Sequence, residues 1–279
     1  MQWRGAMLLR VEGIPLIIEP DPEDPDCARV LADGTIAGRP FRFLLDTGAA
    51  RTTLVADEAI AALDSRARHQ SAGVLGASSS PLVTVRDLVV GPLTIPALEA
   101  ERIEATQSGA CSLLGMDVLG SRCCHFRFDT GMLVLQRSPA GQAGLALQVG
   151  EAGHAYLEVR WPGVTARACF DSGAGITIVD QAFLLAHPGL FAAAGTSTGT
   201  DSTGAQAQTA TYLMTGAHIG GALFAPHKVA SVDLSQVGTN PAEAMDLILG
   251  YPTLRQANWL LDFPARQWGL TRQPDPWPA

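Results

Sequence analysis

The chain is short of charge: Asp, Glu, Lys and Arg make up 16% of its 279 residues, and 27 acidic against 19 basic side chains leave a formal net charge of −8. So little charge beside 47% hydrophobic residues excludes a disordered chain. Lys and Arg nowhere cluster as a phosphate backbone would require, so no nucleic-acid partner is expected, and the acidic balance favours neutral or basic ligands. No apolar run approaches the ~18 residues that span a bilayer, and Met1 to Arg10 lacks an apolar stretch followed by a small-residue cleavage site. A soluble, cytoplasmic protein with no membrane partner is the expectation. Cysteine is scarce and odd in number, five in all with no C-x-x-C pair, which argues against a disulfide framework or a zinc knuckle and for a reducing compartment. The six histidines show no His-Glu-x-x-His spacing. No G-x-x-x-x-G-K-S/T loop occurs, nor a G-x-S-x-G elbow flanked by strand and helix. No metal, cofactor or serine nucleophile is therefore assigned.

What is present is a repeat, sought first because missing one misreads the fold. The stretches that start at Ala28 and at Ala155 both run as alternating strand, turn, alternating strand, Asp-Thr/Ser-Gly-Ala, β-branched strand and short amphipathic helix. Asp33-Gly34 marks the first turn and Pro162-Gly163 the second. Asp46 and Asp171 fall 125 residues apart. Downstream, Leu113-Leu114-Gly115 matches Ile248-Leu249-Gly250, and hairpins opening at His125 and Trp259 close at Met132–Leu135 and Gln267–Leu270. Landmarks in one order point to a doubled domain, with halves at 25–138 and 145–273 and a small-residue linker at 139–144. The segment 1–24 supplies an inter-lobe strand in this reading, and 274–279 is a tail.

Most of the rest reads as β, for example Leu82–Val85, Leu88–Val90, Tyr212–Met214 and Lys228–Val232. Short helices are expected at Asp57 to Leu63 and Asp180 to Ala186, each opened by a capping Asp. Gly195 to Ala210, rich in Gly, Ser and Thr, reads as a mobile loop or hairpin tip.

A carboxylate at the end of an apolar strand is costly to desolvate unless backbone N–H groups wrap it. Gly48 and Gly173 permit such a turn and leave room for a substrate backbone. Thr47 and Ser172 carry hydroxyls that can bond across to the opposite turn. Two such turns on a pseudo-two-fold axis bring Asp46 and Asp171 together, where they share one proton over a broad pH range, as the dyad of pepsin does. That state offers both a base for a water and an acid for a carbonyl oxygen, and the chemistry it implies is amide hydrolysis.

The residues Asp46, Thr47, Gly48, Ala49 and Thr52, and again Asp171, Ser172, Gly173, Ala174 and Thr177, with the two apolar-apolar-Gly signatures downstream, resemble the aspartic peptidases of retroviral (retropepsin-like) type. The resemblance implies an all-β, two-lobed, pseudo-symmetric fold with a cleft between the lobes that acts on a peptide or protein substrate. Retroviral enzymes are made by two identical chains, whereas the repeat puts both halves in one chain, as in pepsins, and a monomer is expected. The resemblance implies catalytic roles for Asp46 and Asp171, with the turns braced by Thr47, Gly48, Ser172 and Gly173. It also implies flap hairpins about 30 residues later, one with its tip at Gly73-Val74-Leu75-Gly76-Ala77 and the other at Asp201-Ser202-Thr203-Gly204. Ala49, Arg51, Ala174, Leu75, Gly76, Thr203 and Gly204 are then substrate-binding candidates. Departures from the family pattern are informative. Ala49 and Ala174 stand where pepsins carry a hydroxyl, which removes a donor from the ionised dyad and predicts an optimum less acidic than pepsin's. Arg51 occupies a position where viral enzymes place an acid, and favours an acidic substrate side chain.

Other readings stay open on the sequence. A catalytically silent peptide-binding module of the same fold is the main alternative, and a hydrolase of non-peptide substrates is a third. Asp129-Thr130-Gly131 repeats the tripeptide without the following Ala and Thr and reads as a hairpin turn. Asp201 reads as solvent-facing, and Cys123-Cys124-His125 as strand packing rather than a soft-metal site.

Overall fold

The computed structural model describes residues 13–65, 67–106, 109–136, 144–201, 204–235, 237 and 243–276. Strands dominate, and among the described residues the α-helices are four: Glu58–Ala61, Met116–Leu119, Gln181–Ala186 and Tyr251–Leu254. Two of them begin where a capping Asp was expected. The Asp57 carboxylate accepts from the Ile60 N–H, and that of Asp180 from the N–H groups of Ala182 and Phe183. None of the helices is long or apolar enough to cross a membrane.

An eight-stranded sheet carries the first half of the chain and a ten-stranded sheet the second. Their central strands correspond. In the first, Arg39–Leu45 lies parallel to Leu113–Leu114, with Leu44 opposite Leu113. In the second, Val164–Phe170 lies parallel to Leu247–Leu249, with Cys169 opposite Ile248. Each catalytic-type turn thus leaves the sheet beside the strand that ends in the downstream Gly.

A third sheet of six strands joins the halves. It takes Ile14–Pro15, Met132–Gln136 and Cys123–Arg127 from one half and Asn258–Asp262, Gln267–Arg272 and Leu145–Ala146 from the other. The seam is the antiparallel pairing of Cys123–Arg127 with Asn258–Asp262, in which Phe126 faces Trp259. Above it the rings of Phe126, Phe170 and Trp259 pack at centroid distances of 5.7 and 5.3 Å, so the core is continuous across the seam. Ile14–Pro15 lies at the edge of this sheet, while residues 1–12 of the N-terminal segment, the linker but for Gly144, and 277–279 of the tail lie outside the described residues.

One turn differs from expectation. Asp33 and Gly34 lie inside the unbroken strand Ala28–Ile36, and the chain turns at Ala37-Gly38, whose φ values are 48° and 77°. Gly34 has another cause: a Cβ there would stand 2.6 Å from the Val89 carbonyl oxygen, so this Gly permits a close strand crossing. Pro162-Gly163 does turn, with Gly163 at φ 74°. The stretch Gly195 to Ala210 is a hairpin, built from Phe191–Thr200 and Gln206–Met214. Asp129-Thr130-Gly131 closes the hairpin between Cys123–Arg127 and Met132–Gln136, with Gly131 at φ 61°. Cys123 and Cys124 are buried free thiols on that first strand, and His125 Nε2 lies 2.7 Å from the Thr271 hydroxyl.

Candidate active site

The two Asp-Thr/Ser-Gly turns meet at the seam. The Thr47 hydroxyl donates to the Phe170 carbonyl at 2.9 Å and accepts from the Ser172 N–H at 3.0 Å. The Ser172 hydroxyl donates to the Leu45 carbonyl at 2.6 Å and accepts from the Thr47 N–H at 3.2 Å. These four reciprocal bonds are buried, and each satisfies a backbone group that the opposite strand end would otherwise leave bare.

The lock sets the carboxylates face to face. A Cβ on Gly48 would stand 2.4 Å from the Asp171 carboxyl carbon, and one on Gly173 2.4 Å from that of Asp46, so only glycine fits at either position. Within each turn the Gly N–H donates to its own carboxylate, Gly48 to Asp46 at 2.9 Å and Gly173 to Asp171 at 2.8 Å. Burial and then the charge of Asp171 push Asp46 well above the usual carboxylate range. Burial raises Asp171 as well, but the Gly173 N–H, the charge of His154 and the bond from Asp46 work against it. Burial and mutual repulsion act on both carboxyls, so the pair holds one proton between them.

Behind the turns, each downstream Gly packs against the backbone. A Cβ on Gly115 would meet the Arg51 carbonyl carbon at 2.5 Å, and one on Gly250 the Ile176 oxygen at 2.3 Å. Thr52 and Thr177 fasten these contacts. The Gly115 N–H donates to the Thr52 hydroxyl at 3.2 Å, and that hydroxyl donates to Asp117 at 2.8 Å. In the second lobe the Gly250 N–H donates to the Thr177 hydroxyl at 3.1 Å, which lies 2.8 Å from the Thr253 hydroxyl, itself 2.7 Å from His227 Nε2.

The stretch expected to be the first flap is the hairpin of Ala67–Ala72 and Ala77–Val90, and at its tip the Gly73 N–H donates to the Gly76 carbonyl at 2.7 Å. In the second, the Gly204 N–H donates to the Asp201 carbonyl at 3.0 Å, whereas Ser202 and Thr203 lie outside the described residues. The tips touch: the Leu75 N–H donates to the Asp201 carboxylate at 2.8 Å. Asp201 is thus half-buried against the first flap rather than solvent-facing, because a carboxylate beside an unpaired tip N–H is the acceptor that N–H needs. Val74 and Leu75 pack with Ala174 and Ile178 on an apolar cluster of Tyr156, Cys169, Val232, Leu234 and Ile248. Ala49 is half-buried beside its turn, and Arg51 lies 3.6 Å from Glu99, which balances its charge.

Residues 32–121, which contain Asp46, the first flap and Gly115, match the family model described as gag-polyprotein putative aspartyl protease. That span is retropepsin-like. No curated protein matches it. Asp171 lies beyond the matched span, and its place in the retropepsin-like pattern rests on the repeat and on the reciprocal bonds. Three participants were not picked out from the sequence: His154, Asp117 and His227. His154 carries a ring Nε2 that is buried without a partner among the described residues, and it belongs to no motif. A signal for Asp117 existed in its place two residues after the first downstream Gly, but its partner Thr52 is 65 residues away.

Proposed function

We propose that the protein is an aspartic endopeptidase that hydrolyses peptide bonds with a water activated between Asp46 and Asp171. The observation that carries this reading is the reciprocal lock of Thr47 and Ser172, which sets each turn's glycine against the opposite carboxyl and so brings Asp46 and Asp171 together. The family match supports a protease-type function. In the reaction, one carboxylate of the pair takes a proton from the water as its oxygen attacks the scissile carbonyl carbon. The other, protonated, donates to the carbonyl oxygen as that oxygen gains negative charge. Collapse of the tetrahedral species returns a proton to the leaving amine nitrogen and restores the dyad. The flaps exclude water and hold the peptide extended by backbone hydrogen bonds.

Asp46→Asn and Asp171→Asn should each abolish cleavage of casein or a peptide library while circular dichroism stays native; an undiminished rate in either variant refutes the dyad. The folded value of Asp46 lies above the unfolded one, so its ionisation costs stability as the pH rises through the folded value. Asn pays no such cost, and Asp46→Asn is expected to melt no lower than the wild type at neutral pH. Raised values for both carboxyls also move both limbs of the pH–rate profile upward, toward a less acidic optimum. A profile peaking at about pH 2 would contradict this.

A further inference from the structure

The two halves of the cleft differ in chemistry. In the second lobe, the parallel pair beside the catalytic turn is Ile178 with Ala230, next to the apolar cluster that receives Val74 and Leu75. At the matching register of the first lobe the pair is Thr53 with Glu101. Glu101 is only 5% exposed, and a carboxylate so buried is costly unless its oxygens are engaged. Its Oε1 lies 2.8 Å from His69 Nδ1 and its Oε2 accepts from the Ser71 hydroxyl at 2.6 Å. Both partners belong to the first flap. Across that hairpin His69 faces Ser80 and Ser71 faces Ser78, so this side of the flap is lined by an imidazole and hydroxyls. Glu99 shares the face of Glu101 at the more exposed rim, where Arg51 balances it.

Distance is compatible with substrate contact. The sheet order from Arg39–Leu45 through Leu113–Leu114 and Thr53–Val55 to Leu93–Ile103 sets Glu101 three strand spacings, about 14 Å, from the strand that ends at Asp46. An extended peptide advances about 3.3 Å per residue, and a Lys or Arg side chain covers much of the remainder. A flap that opened to admit substrate would part His69 and Ser71 from the carboxylate and, on closing, return them over the bound side chain. A substrate ammonium or guanidinium restores that pairing with full charge.

We propose that Glu101, with Thr53, His69 and Ser71, forms a subsite under the first flap that takes a Lys or Arg side chain within about three residues of the scissile bond, while the opposite half of the cleft takes an apolar one. The subsite rests on the endopeptidase reading, and it deepens that reading by naming a substrate class. The net charge of −8 draws basic peptides to the same end.

The test uses matched fluorogenic peptides, apolar on one side of the scissile bond, with Lys or norleucine placed in turn at the three nearest positions on each side. For the full chain, kcat/KM is expected to favour Lys by about tenfold at one position, and this ratio should fall toward one in Glu101→Gln and survive in part in Glu101→Asp. The preference should also weaken between low and high salt in the wild type, a readout independent of any variant. Equal cleavage of both peptides at every position, or a ratio that survives Glu101→Gln, overturns the subsite. If no peptide is cut, the endopeptidase reading fails, and the same pairs are compared by fluorescence anisotropy. A Lys preference in binding that Glu101→Gln removes then upholds the subsite alone, and no preference overturns it too.

Discussion

Thr52 and Thr177 do one job with different chemistry behind them. Each takes the N–H of a glycine that crosses behind a catalytic-type turn, at 3.2 Å in the first lobe and 3.1 Å in the second. In the first lobe the Thr hydroxyl passes its proton toward the carboxylate of Asp117, whose two oxygens also accept the Thr52 N–H at 3.0 Å and whose side chain reaches solvent. In the second, a neutral chain runs inward from Thr177 through fully buried Thr253 to His227. His227 Nδ1 donates to the Ala225 carbonyl at 2.9 Å, which leaves Nε2 free to accept. The backbone fixes the demand, a satisfied N–H at a glycine no side chain can replace. How the demand is met differs between the lobes.

Substitutions that cut each support separately test the comparison. The largest loss is expected from Thr253→Val, which strands a buried hydroxyl and an imidazole nitrogen at once, at about 2–3 kcal/mol. Urea unfolding followed by tryptophan fluorescence measures it, and a change below about 0.5 kcal/mol would mean that the chain contributes nothing. Asp117→Ala frees the Thr52 N–H and hydroxyl, but water reaches that edge and takes up part of the loss, so about 1–2 kcal/mol is expected in the same assay. The smallest effect is on pH. Burial holds His227 below the usual histidine value; its bond to Ala225 works the other way, and the charge of Arg255 adds a smaller lowering. The unfolded chain therefore binds the extra proton first, and this stabilisation is present above about pH 6.5 and is lost as the pH falls through the folded value. His227→Gln should flatten the gain in urea midpoint between about pH 5 and 7.5 relative to the wild type, and an unchanged slope would break the asymmetry.

What the sequence made legible was what repeats. Asp46 with Asp171, Gly115 with Gly250, and the Gly-bounded tip at Gly73 to Gly76 were readable because each needs a residue type that stands out in a line of letters. The turn at Ala37-Gly38 was not, because Asp33-Gly34 is the louder dipeptide, and only the crossing strand near Val89 shows why that glycine is there. Glu101, His69 and Ser71 were equally silent. Their meeting depends on a hairpin folding back across 30 residues, and none of the three differs in sequence from an ordinary surface side chain. Asp201 was misjudged for the same reason: its partner, the Leu75 N–H, lies 126 residues away.

The six-stranded sheet has a consequence for how the site behaves on dilution. An enzyme assembled from two separate chains loses its second carboxyl whenever the chains part, so its specific activity falls with concentration. Here Cys123–Arg127 and Asn258–Asp262 zip together within one chain, and the partner strand is always present at the effective concentration its covalent tether sets. The pairing of Asp46 with Asp171 is then a first-order property of the fold, governed by whether the chain is folded and indifferent to how many copies surround it.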